Sequence, residues 1–92
     1  MGDVMPQITV YTTAACPYCR RAKDLLRKKN VAFIEIAVDG DPRTRGDMTA
    51  RAHGRMSVPQ IFFDDIHIGD CDELHELDRD GKLDKLLAGG VQ

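Results

Sequence analysis

Residues 7–38 read QITVYTTAACPYCRRAKDLLRKKNVAFIEIAV, and this stretch decides how the rest of the chain is read. Gln7-Ile8-Thr9-Val10-Tyr11 alternates and is rich in β-branched residues, the pattern of a strand. Thr12 to Ala15 form a connector. From Pro17 to Lys29 the positions Cys19, Ala22, Leu25, Leu26 and Lys29 recur at helical spacing, which predicts an amphipathic helix with Pro at its first position, Cys16 as N-cap and Asn30 as a stop. Val31 to Val38 is then a nearly continuous apolar run of strand length, expected of a strand buried on both faces. Strand, helix and strand in this order predict a parallel pair joined by a right-handed crossover.

Working outward, Asp39-Gly40-Asp41-Pro42 supplies a turn and a helix start. The following helix is predicted from Pro42 to about His53, with Gly54 ending it. Pro59 to Phe63 and Ile66-His67-Ile68 read as two short strands split by a two-residue hairpin loop, Asp64-Asp65. Gly69-Asp70 opens a helix with Leu74 and Leu77 facing inward, closed near Gly81. Leu83, Leu86 and Leu87 suggest a last short helix, and residues 88–92 are expected to fray. The order β-α-β-α-β-β-α predicts an α/β domain with a four-stranded mixed sheet flanked by helices on both faces, similar to thioredoxin-like folds.

Ninety-two residues, 42% of them hydrophobic and 30% charged, suit one domain over 1–92 and leave no room for a second. Three cysteines are too few for a disulfide-stapled framework, and no run approaches the ~18 apolar residues of a membrane span. Met1-Gly2-Asp3-Val4-Met5-Pro6 has neither a cationic nor an apolar leader segment, so the expectation is a reducing, cytoplasmic setting. There, cysteines are free, metal-bound or catalytic. Charge is uneven: residues 1–63 carry ten Lys/Arg against six Asp/Glu, and residues 64–85 carry three against nine. Six of the cations lie between Arg20 and Lys29 without interleaved aromatics, and the isoelectric point is near 5.8, which argues against a nucleic-acid partner. That basic stretch reads as a solvated helix face, with a small anionic ligand beside it as the alternative.

Cys16-Pro17-Tyr18-Cys19 lies where a strand-derived loop becomes a helix, and that placement carries the chemistry. A sulfur at the N-cap faces unpaired backbone N–H groups and the positive end of the helix dipole, both of which favour thiolate over thiol. Cys16 is expected to be the acidic nucleophile, whereas Cys19, pointing to the apolar face, should stay a buried thiol within disulfide reach. Lowering a thiol pKa from ~8.5 by ~3.5 units raises its thiolate fraction roughly 30-fold at pH 7, while intrinsic nucleophilicity falls roughly 40-fold. Attack gains little, and the advantage lies in leaving-group ability, which suits a relay that accepts and passes on a thiol group. Cys71 and His75 form a second ligand-type pair, so a structural zinc site with Cys16 and Cys19 is the competing reading. Against it, the first pair opens a helix behind Pro instead of sitting in a zinc knuckle.

With these motifs in hand, the chain resembles the dithiol glutaredoxins of the bacterial glutaredoxin 3 type, within the thioredoxin-like superfamily. Cys16-Pro17-Tyr18-Cys19 matches that family's active-site tetrad, Ser57-Val58-Pro59 its Thr-Val-Pro segment, and Gly69-Asp70-Cys71-Asp72 its Gly-Gly-Cys-Asp segment. The resemblance covers about residues 7–87. It implies a glutathione-dependent thiol-disulfide oxidoreductase acting on glutathionylated or disulfide-containing proteins as a monomer, without membrane, nucleic acid or metal. A cis peptide before Pro59 is implied as well, with the Val58 backbone pairing with an extended substrate cysteine. For glutathione, the resemblance implies a groove with Tyr18, Ser57, Val58 and Pro59. Asp70 would cap a helix that presents the Cys71 and Asp72 amides to one carboxylate, and the Asp72 side chain would meet the ammonium. Arg51 is the candidate for the glycyl carboxylate, with Arg43 and Arg45 competing. Two departures stand out: Thr13 replaces the family's usual Lys, and Asp70 replaces its second glycine, so weaker glutathione affinity is expected. The resemblance also admits a cluster-bridging role between two subunits, which Pro17 disfavours because cluster-binding members tend to lack Pro there and commonly carry Cys-Gly-Phe-Ser. Cys71 reads as either an oxidisable or a buried thiol, and His53, His67 and His75 receive no role.

Overall fold

A computed structural model describes residues 5–89. Its elements are β1 (Ile8–Thr12), α1 (Pro17–Lys28), β2 (Ile34–Ala37), α2 (Pro42–Arg51), β3 (Gln60–Phe63), β4 (Ile66–Gly69), α3 (Cys71–Arg79) and α4 (Leu83–Leu87). The four strands form one sheet in the order β2-β1-β3-β4, with β1 parallel to β2 and antiparallel to β3, and β3 antiparallel to β4. This is the mixed sheet flanked by helices that the element order predicts. The fraying expected at residues 90–92 falls outside the described residues.

Alternation along the two central strands sorts the core into two layers. Ile8 and Val10 of β1 and Ile61 and Phe63 of β3 pack with Ala22, Leu25 and Leu26 of α1, Leu74 of α3, and Leu83 and Leu87 of α4. Tyr11 and Phe62 point the other way, against Met48 and Ala52 at α2. Helices therefore cover both faces.

One expectation is corrected. The run from Val31 to Val38 was expected to be a strand buried on both faces. It is a four-residue edge strand instead, in which Ile34, Glu35 and Ala37 are exposed and Ile36 is half-buried. An apolar run reports strand propensity, but burial depends on neighbours, and β2 has a strand on one side only. Glu35 there accepts from Thr12 Oγ1 at 2.7 Å and from Lys23 Nζ at 2.8 Å, which ties the edge to β1 and α1. The helix predicted to run to about His53 ends at Arg51, with Ala52 as its C-cap and His53 in the left-handed region at φ 59°.

Register brings three separate segments to one edge of the sheet. Tyr11 opposes Gln60 and Ile61 opposes Gly69, so the end of β1, the start of β3 and the end of β4 lie side by side. The Cys16 turn, Ser57-Val58-Pro59 and Asp70-Cys71-Asp72 are thereby neighbours, although more than fifty residues separate the first from the last.

Truncating Leu26 to Ala, a wholly buried residue, should lower unfolding free energy by about 2–5 kcal/mol, whereas Ile34→Ala at the open edge should cost less than about 1.5 kcal/mol. Urea denaturation of both variants checks this, and equal losses would contradict the edge placement of β2.

Candidate active site at the start of the first helix

Cys16 is the N-cap of α1, in extended conformation, and its sulfur accepts the Cys19 N–H at 3.2 Å. Pro17 at the first helical position has no N–H to leave unpaired. The Cys16 thiol also faces the Val58 carbonyl at 3.8 Å, near the limit for a hydrogen bond to sulfur. Cys16 is half-buried, while Cys19, one turn on, is only 1% exposed. Burial, reinforced by the Cys16 sulfur beside it, pushes the Cys19 thiol up to about 12, and the Thr13 backbone only partly opposes this. Two cysteines three residues apart thus differ in environment as the helix start dictates: one sulfur at the surface on a backbone donor, the other a protonated thiol beneath it.

Cys71 opens α3 and is buried, which raises its thiol above the ordinary cysteine value. Its sulfur lies 3.5 Å from His75 Nδ1, which is also 2.9 Å from the Cys71 carbonyl. Of the two readings for this residue, the buried thiol is the one its surroundings match. Among the described residues, no three metal-ligating side chains come together, so the Cys16/Cys19 and Cys71/His75 pairs do not form one centre.

Tyr18, Ser57, Val58, Pro59, Asp70, Cys71 and Asp72 line a single groove of about 150 Å³. The Val58-Pro59 peptide is cis. Tyr18 is 54% exposed on the rim, with the Arg21 guanidinium 5.8 Å from its ring centre. At the far end Asp70 caps α3 in a reciprocal box: it accepts the Glu73 N–H at 3.0 Å while Glu73 accepts the Asp70 N–H at 2.9 Å. Gly69 sits at φ 123°, a backbone conformation that L side chains rarely adopt, and a Cβ there would also push the Glu73 side chain out of the capping box.

Arg51 lies elsewhere. Its guanidinium donates to Tyr11 Oη at 2.9 Å and to the Asp64 carbonyl at 3.3 Å, and it stacks 4.2 Å from the Phe62 ring centre. Arg45 donates to the Met56 carbonyl at 3.1 Å, and neither Arg43 nor Arg45 lines the groove. Beside the Asp70 end of the groove stands Arg55, a residue not singled out from the sequence: it donates to Asp70 at 3.0 Å and to Glu73 at 2.7 Å. Nothing in the residue spacing marks Arg55 as the partner of this capping box, because the helix start itself already favours its two carboxylates.

The glutaredoxin family profile matches residues 8–68. A glutaredoxin of Pseudomonas aeruginosa is 55% identical over 84 residues, covering 91% of this chain and 99% of its own. Glutaredoxin 3 of Escherichia coli is 51% identical over 83 residues, covering 90% and 99%. The solution structure of a Brucella melitensis glutaredoxin superposes with TM-score 0.83 at 44% identity, covering 96% of this chain and 95% of that one. A buckwheat glutaredoxin–glutathione complex superposes with TM-score 0.81 at 28% identity, covering 95% and 83%.

Brief iodoacetamide treatment of the reduced, folded protein at neutral pH should label Cys16 and leave Cys19 and Cys71 unmodified until the chain is unfolded. Peptide mapping by mass spectrometry reads this out, and comparable labelling of Cys19 would contradict the burial asymmetry.

Proposed function

Since the chain belongs to the glutaredoxin family and is a thiol-disulfide oxidoreductase, we propose that it reduces glutathionyl mixed disulfides and protein disulfides with glutathione as reductant. The observation that carries this reading is the half-buried Cys16 sulfur at a helix start, with Cys19 buried directly beneath it and a groove alongside. The helix N–H groups stabilise negative charge on Cys16 both when it attacks and when it leaves.

In the proposed cycle, the Cys16 thiolate attacks the glutathionyl sulfur of a modified protein, and the protein thiolate departs. A second glutathione thiolate attacks the glutathionyl sulfur now on Cys16, releasing glutathione disulfide and regenerating the Cys16 thiolate. For a protein disulfide, Cys16 attacks one substrate sulfur and Cys19, after losing its proton, displaces that sulfur from Cys16. The resulting Cys16–Cys19 disulfide is reduced by two glutathiones. A thiol pushed up to about 12 is a poor nucleophile until a mixed disulfide sits beside it, so Cys19 acts only in the second step.

Glutathione brings two carboxylates and one ammonium. In this reading the Cys71 and Asp72 amides at the start of α3 receive the γ-glutamyl carboxylate, the Asp72 side chain meets the ammonium, and Tyr18, Ser57, Val58 and Pro59 form the walls. About 150 Å³ is below the ~300 Å³ lower end of enclosed ligand pockets, so the tripeptide lies along the surface with its sulfur toward Cys16. Asp70 would repel a carboxylate, but Arg55 holds it in an ion pair and offsets much of that charge. The glycyl carboxylate role expected of Arg51 would require its guanidinium to leave Tyr11 and Phe62. Thr13 in place of a lysine leaves glutathione affinity lower than the family's usual. We place the activity in one domain over 1–92 with its core at about 7–87, acting as a monomer in the cytoplasm. Among the described residues no helix is long and apolar enough to cross a membrane.

In a glutathione-coupled assay, Cys16→Ser should fall to background on every substrate. Cys19→Ser should keep turnover on a glutathionylated peptide and lose it on a protein disulfide. Substantial turnover by Cys16→Ser would contradict the nucleophile assignment.

A further inference from the structure

The Ser57-Val58-Pro59 wall of the groove belongs to no helix or strand. It is held by the side chain of Gln60, which is fully buried at the start of β3. Gln60 Nε2 lies 3.0 Å from the Ser57 carbonyl and 3.3 Å from Ser57 Oγ, and Gln60 Oε1 lies 2.6 Å from His67 Nε2. His67, on β4, stacks on Phe62 with ring centres 5.0 Å apart, and its Nδ1 is 3.4 Å from His53 Nδ1 at the end of α2.

The direction of every link follows from the Ser57 carbonyl, which can only accept. The Gln60 NH2 must face it, so Oε1 faces His67 and the His67 Nε2 carries the hydrogen. A neutral His67 then has a bare Nδ1, and the His53 Nδ1–H donates to it. Burial above all, with the Arg55 charge beside it, lowers His67 below the ordinary histidine value, a direction that favours the neutral ring. Reversing the Gln60 amide would set Oε1 against the Ser57 carbonyl and leave buried groups without partners.

We infer that His67 is a positioning residue for the substrate groove: through Gln60, its Nε2–H fixes the amide that anchors Ser57, and so places the Val58 backbone beside Cys16. This rests on the groove being the glutathionyl site. His53 and His67 thereby acquire a part in the proposed chemistry without touching substrate.

The test uses His67→Phe, which keeps a ring on Phe62 but removes the donor, and His67→Gln, which returns an N–H near the former Nε2. Steady-state kinetics are measured on a glutathionylated peptide and on the same peptide carrying cysteine in place of glutathione. For His67→Phe, KM for the glutathionylated peptide should rise about three- to tenfold, the range a single lost hydrogen bond gives, with kcat and the Cys16 alkylation rate within about twofold of wild type. His67→Gln should restore KM to within about twofold. An unchanged KM in His67→Phe, or equal impairment of Phe and Gln variants, overturns the inference while leaving the groove reading intact if wild type still prefers the glutathionylated peptide. If wild type shows no such preference, the groove reading fails and this inference falls with it. A measurement on the wild-type protein alone provides a second check: long-range ¹H–¹⁵N correlation should show the Nε2–H tautomer at His67 and the Nδ1–H tautomer at His53, and the opposite tautomer at His67 overturns the proposal.

Discussion

The first N–H groups of a helix have no partner inside it, and α1 directs one of them at the Cys16 sulfur from 3.2 Å. For that contact to exist the chain must leave β1 and enter the helix within four residues, Thr13 to Cys16, which the buried strand and Pro17 together enforce. The same helix turn carries Cys19 round to the core face, where Ala22, Leu25 and Leu26 continue the apolar stripe. The chemical difference between two identical side chains therefore comes from helix geometry: position zero faces solvent and donors, and position three faces the core.

Sheet register supplies what a helix start alone lacks. Because β1 and β3 run antiparallel with Tyr11 opposite Gln60, the residues preceding β3 pass directly beside the residues following β1. The hairpin to β4 then returns the chain so that α3 starts at the same edge, with Asp70 capping it and Arg55 balancing the cap. The outcome is a groove with the Cys16 sulfur beside its Val58 wall and the start of α3 among its lining, joined by backbone that a buried glutamine and a histidine pair hold in place. Ion pairs as exposed as Arg55 with Asp70 and Glu73 contribute little to stability, ~1 kcal/mol or less each, so their main effect here is on local charge.

Much of this was legible from residue patterns. The alternation of β1, the Pro17 start of α1, the two-residue hairpin at Asp64-Asp65 and the stop near Gly81 are local signals, and each is present within a residue or two of its expected place. Of the eight residues that the motif resemblance proposes for a ligand site, seven come together around one groove. What failed to show was non-local. Whether β2 is central or at an edge depends on strand order, which an apolar run does not encode. Which arginine lies beside Asp70 depends on where α2 ends and which way the chain then turns: Arg51, the last residue of α2, reaches Tyr11, and Arg55, four residues beyond it, reaches Asp70. His53 follows α2, Gln60 starts β3 and His67 lies on β4, so no spacing in the sequence marks them as a chain of hydrogen bonds.

The central claim is that these segments form one binding groove with its reacting sulfur at Cys16. The most direct measurement is the backbone amide spectrum of the Cys19→Ser variant before and after glutathione is attached to Cys16 as a mixed disulfide. The account predicts the largest shift changes at Tyr18, Ser57, Val58 and Asp70 to Asp72, with Arg51 and the body of α2 unmoved. Changes centred on α2, with the start of α3 silent, would contradict it.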